Sequence, residues 1–218
     1  MRVLDLSTFD LTIAIEVFLL LLIGVGPKIA LVPFLEVTAK MDKQTKEKVV
    51  RKMLTTAAIT AVLLMLFGGL LTRLLHFSTG ALAIAGGIIL LVISMAMILS
   101  RGERQTQHDT SAASDPMKLA VFPLAVPYLL NPAGIVTLVT VSAEAGSLGI
   151  FAIVLGLLVL VIVIDVIVFR WAERVSAHLD ESRMLVTEKV FGFLLAALAV
   201  QLALNGLADL GVIHLVGH

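Results

Sequence analysis

No cysteine occurs in the 218 residues. A disulfide frame, a thiolate metal site and a cysteine nucleophile are therefore excluded. Charge is scarce as well: 15% of the residues are Asp, Glu, Lys or Arg, against about a quarter in a soluble domain. The sixteen basic and sixteen acidic residues cancel, so no net field draws the chain to nucleic acid. No phosphate-binding loop or dinucleotide motif is present, which leaves ATP-driven work by this chain alone unsupported. The histidines show no metal-ligand spacing. No serine lies near a histidine inside the apolar blocks, so hydrolysis is unsupported too. Nothing in this inventory makes the chain an enzyme or gives it a cofactor.

What the sequence does have is apolar length. Fifty-nine per cent of the residues are apolar, and mean hydropathy is +1.07. The excess lies in long, nearly uncharged blocks of the length that a bilayer requires. They run over Leu11–Val37, Met53–Leu75, Thr79–Ser100, Lys118–Val141, Ser147–Phe169 and Val190–Leu210. The first block is not a signal peptide by its flanks. Asp5 and Asp10 sit in the leading segment with only Arg2, and no small-residue cleavage site follows a short apolar core. The expectation is an all-α, polytopic membrane protein with six spans. Residues 101–117 read as a flexible loop, and the polar stretch 171–189 reads as an interfacial helix or loop.

Basic residues set the orientation. Lys40, Lys43, Lys46, Lys48, Arg51 and Lys52 follow the first block; Arg101, Arg104 and Lys118 follow the third; Arg170, Arg174, Arg183 and Lys189 follow the fifth. Six spans put all thirteen on one side, with only Arg2 and Arg73 opposite. The basic loops are expected in the cytoplasm and both termini outside the cell or in the periplasm, as for a multi-pass protein of the inner (plasma) membrane.

Two blocks are broken. The first carries Gly24, Gly26, Pro27 and Pro33, and the fourth carries Pro123, Pro127, Asn131, Pro132 and Gly134. Proline removes a backbone donor and clashes with the preceding turn, while glycine tolerates the freed geometry. Irregular backbone survives at membrane depth only beside protein or water. Each broken block is followed by two intact ones, so residues 1–100 and 118–218 read as two three-helix repeats of opposite orientation. Matched breaks in two inverted halves point to a central polar site. Its candidate residues are Gly26, Pro27, Lys28, Asn131, Pro132 and Gly134. The simpler reading is ordinary proline kinking.

Ionisable groups inside spans are costly. Lys28 lies beside the first break and Asp165 lies inside the fifth block. Each is about 17 residues from the outer end of its span, so at 1.5 Å per residue they reach similar depth. An ion pair or shared wet site between them is expected; the alternatives are snorkelling for Lys28 and interfacial exposure for Asp165. Gln201 and Asn205, four apart, share one helix face. They either line the site or bond between helices. Gly86 and Gly87 read as a close-packing patch, and glycine-rich faces of this kind permit a homo-oligomer.

The chain resembles the MarC family of small neutral amino acid transporters, within the lysine-exporter-like superfamily. The likeness rests on Val32–Pro33–Phe34, on IAGGIILLVISMAMIL at 84–99, on AVFPLAVPYLLNPAGIVTLV at 120–139 and on GFLLAALAVQLALNGL at 192–207. The family's first break reads Asn-Pro and its second Gly-Pro-Gly. Here the first reads Gly26–Pro27–Lys28 and the second Asn131–Pro132–Ala133–Gly134, so the pairs look exchanged and a lysine has entered. The resemblance implies secondary transport of a small zwitterion such as glycine or alanine across the lipid bilayer, with proton or other ion coupling open. A channel or exporter for a small ion or metal is the alternative, and a non-transporting membrane scaffold is a third.

Overall fold

The structure, a computed structural model, describes residues 11–39, 41–99, 115–144, 147–176 and 181–214. All regular structure among them is helical. Helix α1 spans Leu11–Gly24 and α2 spans Pro27–Thr38; α3 runs over Lys43–Leu75 and α4 over Thr79–Leu99. A short α5, Pro116–Leu119, leads into an irregular π-wound coil, Ala120–Leu129, and then α6 covers Pro132–Glu144. Helices α7, Leu148–Ser176, and α8, Glu181–Asp209, complete the chain.

Among the described residues, five apolar stretches are long enough to cross a membrane: Leu11–Leu35, Lys43–Leu75, Thr79–Leu99, Leu148–Ala172 and Leu185–Asp209. The pair Pro116–Leu129 and Pro132–Glu144, bent by 68°, makes a sixth when counted as one span. The bend follows from its prolines. It falls just before Pro132, where Leu130 leaves the helix for extended backbone; Phe122 and Val126, each before a proline, are extended as well.

Three helices outrun their apolar blocks. Helix α3 begins ten residues before Met53, and its 33 residues make a rod of about 50 Å, well beyond the hydrocarbon core. Its start is set by Asp42, which caps the helix by accepting from the Thr45 N–H at 3.1 Å and from its hydroxyl at 2.6 Å. The polar stretch 171–189 is likewise not a separate interfacial element: α7 continues through Ser176 and α8 already begins at Glu181. Helical backbone satisfies itself in water as well as in lipid, so a span does not stop where hydropathy stops. Most of the 101–117 loop lies outside the described residues; its last residues open α5, with Asp115 accepting from the Met117 N–H at 2.9 Å.

The Asp42 cap carries a pH signature. Hydrogen bonds from the Thr45 side chain and backbone lower its pKa below the ordinary carboxylate value. A depressed carboxylate contributes order above its unfolded pKa and loses it as pH falls through the folded one. Amide exchange in the first turn of α3 should therefore quicken as pH falls through the acid range, after correction for intrinsic rates, and Asp42→Ala should show the faster exchange already at neutral pH. An unchanged acid-range profile would reject the cap.

Small residues set the packing. Helices α4 and α8 lie antiparallel along their length. A Cβ added to Gly80 would come within 2.8 Å of the Gly206 oxygen, and one added to Gly87 within 2.7 Å of the Ala199 oxygen. Gly192 meets Ser94 and Met97 near the other end. Gly87 thus serves close packing, as does Gly86 against Val136. At the basic end the half-buried Lys189 donates from Nζ to the Met97 oxygen at 2.8 Å, covering a carbonyl in the last turn of α4 where cations are favoured. Helix α6 crosses α3 where Gly69 N–H donates to Ser142 Oγ at 2.9 Å. Helix α7 packs on α1, α2 and α3, with Phe34 and Phe169 edge-to-face at 5.3 Å between ring centres.

Candidate functional site

The two proline breaks meet at one point. Gly24, the last residue of α1, lies against Ala133 and Gly134 in the first turn of α6, and each glycine occupies the space that a side chain on the other would need. Backbone therefore touches backbone at membrane depth.

The hydrogen bonds explain why this point is stable. In an uninterrupted helix the Ile23 carbonyl would accept from residue 27, but Pro27 has no N–H. The Gly24 carbonyl would accept from residue 28, but the chain turns between α1 and α2. Two carbonyls are left unpaired in a medium that offers no water. Asn131 supplies both donors. Its Nδ2 donates to the Ile23 oxygen at 2.7 Å and its backbone N–H to the Gly24 oxygen at 2.9 Å. Its Oδ1 accepts from the Gly134 N–H at 3.1 Å, so one side chain also caps α6 in the favoured N-cap position, with Pro132 at the first helical position. Asn131 is fully buried. The break in one span is thus repaired by the residue that makes the break in the other.

The structure brings Gly26, Pro27, Asn131, Pro132 and Gly134 together around this crossing. Helices α2 and α6 begin there with Pro27 and Pro132, each presenting a partly positive amino end. Gly26, at the cap position of α2, has no side-chain acceptor to offer its first turn. Ile29 and Ala133, beside the crossing, pack with Leu195 and Ala199 of α8.

The other candidates are placed apart. Lys28 is exposed. Asp165 is 1% exposed, and neither carboxylate oxygen has a hydrogen-bond partner. The expected Lys28–Asp165 ion pair does not form. Similar depth along two helices does not fix the direction in which each side chain points. Gln201 donates from Nε2 to Asn205 Oδ1 at 2.8 Å, within one helix rather than between two. Both are exposed on α8, away from the buried face that carries Ala199. Thr137 bonds back to the Ala133 oxygen at 2.9 Å, a local role. Among the described residues, no group of three or more His, Asp or Glu is arranged to hold a metal.

Sequence reasoning did not single out Gly24 or the Ile23 carbonyl. The carbonyl was legible, since a proline always orphans the acceptor four residues earlier. Its partner, 108 residues away, had no local signal.

Residues 11–210 match the profile of the MarC family of integral membrane proteins. The chain belongs to the MarC family. Among curated MarC relatives it is 29% identical to UPF0056 membrane protein MJ1677 of Methanocaldococcus jannaschii, over 80% of this chain and 85% of that one. It is 26% identical to UPF0056 membrane protein YvbG of Bacillus subtilis, over 85% and 90%. A UPF0056 membrane protein of Archaeoglobus fulgidus is 26% identical, over 88% and 91%. No solved structure matches. The chain is accordingly an integral, multi-pass membrane protein of the MarC family.

Proposed function

We propose that the chain is a secondary transporter of small neutral amino acids, glycine or alanine in size, with its binding site at the crossing of the two broken spans. The observation that carries this reading is the Asn131-bridged contact between the Pro27 and Pro132 breaks. Broken helices meeting at membrane depth give fixed amide and carbonyl groups without the cost of burying full charges. The amino end of α2, preceded by Gly26 with no side chain to cap it, suits a carboxylate. An ammonium suits the carbonyl-rich end of α1.

The pairing of spans supports inverted halves. The first span packs on α7 and the bent fourth span on α3, which are equivalent pairs when the halves are exchanged. The first and fourth spans meet each other, as do α4 and α8, which run antiparallel. Such a frame moves one half against the other around a fixed site. The thirteen basic loop residues then face the cytoplasm of an inner (plasma) membrane, with both termini outside.

The test is uptake of labelled glycine and alanine into proteoliposomes. The reading expects saturable uptake of each, mutual competition, and little uptake of large or charged amino acids. Folded, reconstituted protein that moves neither amino acid would refute it. Movement of inorganic cations instead would favour a channel.

A further inference from the structure

Asp165 stands in the membrane-spanning part of α7 between Ile164 and Val166, 1% exposed, with both carboxylate oxygens unpartnered. Helix α7 packs on α1, α2 and α3, and the charged side chains described on all three point elsewhere. Glu16 of α1 and Lys28 of α2 are exposed. The buried face of α3 is Val49, Met53, Ala57, Ala61 and Met65. Of its charged residues, Lys43, Glu47, Lys48, Arg51, Lys52 and Arg73 are exposed, and Lys46 is half-buried in the first turn. Arg170, on α7 itself, is exposed.

An ionised carboxylate in such surroundings is heavily penalised. Two ligands could neutralise it. A hard metal cation needs several oxygen donors around it, and the other buried residues of α7 near Asp165 in the sequence, Leu158, Val161, Phe169 and Ala172, are apolar. A proton needs one lone pair and nothing more. Farther along α7, α2 and α7 leave between them an apolar cleft of about 250 Å³ lined by Leu31, Leu35, Ile167, Val168, Trp171 and Ala172. The α2–α7 seam is thus incompletely filled along the stretch of α7 that follows Asp165.

We propose that Asp165 is a membrane-buried proton-exchange site: it holds a proton while α7 is sealed against α2 and α3, and releases it to water when that seam opens. The step forms and breaks one O–H bond at a carboxyl oxygen, with water as the source and acceptor of the proton. The proposal rests on the transport reading only for what the proton would drive.

Two measurements on the full chain in lipid test it. Infrared spectra of wild type at neutral pH should show the carbonyl stretch of a protonated carboxyl, shifted in heavy water. That band should be lost in Asp165→Asn and retained, at altered frequency, in Asp165→Glu. Identical wild-type and Asp165→Asn spectra in that region would overturn the proposal, whether or not any amino acid is transported. In proteoliposomes, Asp165→Asn should keep glycine exchange at zero gradient and lose accumulation driven by a pH gradient. Full gradient-driven accumulation by Asp165→Asn would overturn the coupling role even where the infrared band is lost.

Discussion

Asn131→Ala should be the most damaging single truncation of a polar side chain in the protein. Alanine removes the donor to the Ile23 carbonyl and the acceptor for the Gly134 N–H, leaving both buried. An unsatisfied buried group costs about 1–3 kcal/mol, and a lost helix cap about 1 kcal/mol. The expected loss is therefore about 2–4 kcal/mol, read as a lower unfolding temperature in detergent and reduced yield from membranes. Membrane hydrogen bonds are often worth less than such sums, because a separated helix finds other partners. Here the Ile23 carbonyl has little alternative, since Pro27 removes its own. Asn131→Asp separates the two roles. It keeps the capping oxygen but sets a second acceptor against the Ile23 oxygen, so it should be no better than alanine. A stable Asn131→Ala protein would show that the Ile23 carbonyl is satisfied in another way.

Side chains at the glycine crossing should be equally severe for a different reason. A Cβ at Gly24 would fall on the Gly134 backbone, and a Cβ at Gly134 on that of Gly24. The obstruction is backbone on both sides, so no rotamer change relieves it. Overpacking costs about 1–3 kcal/mol where neighbours can shift, and here the helices themselves must separate. Gly24→Val and Gly134→Val should each fail to yield folded protein. Gly156 on α7 provides the control. A Cβ there meets nothing within 4 Å, so Gly156→Ala should be tolerated and gain up to about 1 kcal/mol from helix propensity. The yield of folded protein from membranes, with thermal unfolding of any that is obtained, decides the matter. Normal stability for either valine variant would place the two breaks farther apart.

The contrast between these sites shows what the amino-acid order makes legible. The helical class and the positions of the breaks were readable, because both rest on local chemistry: uninterrupted apolar length, and prolines that remove donors. The placing of glycine in the first break and asparagine in the second also takes on a physical meaning. With asparagine in the second break, Asn131 reaches back to the first, while Gly26 can offer no side chain in return. Helix ends were less legible. The start of α3 depends on the Asp42–Thr45 cap, which hydropathy does not register. Long-range pairing was not legible at all. Lys28 and Asp165 were placed at similar depth by counting residues, but a helix turns about 100° at each residue, and depth alone could not put one outside and the other within.

Whether both breaks form one binding site can be read from hydrogen exchange of the wild-type chain in lipid. Peptides covering residues 20–31 and 128–136 are compared with and without glycine at concentrations that saturate uptake. Glycine should slow exchange in both segments together and leave the α4–α8 contact unchanged. Exchange in both segments unaffected by saturating glycine would contradict a single shared site.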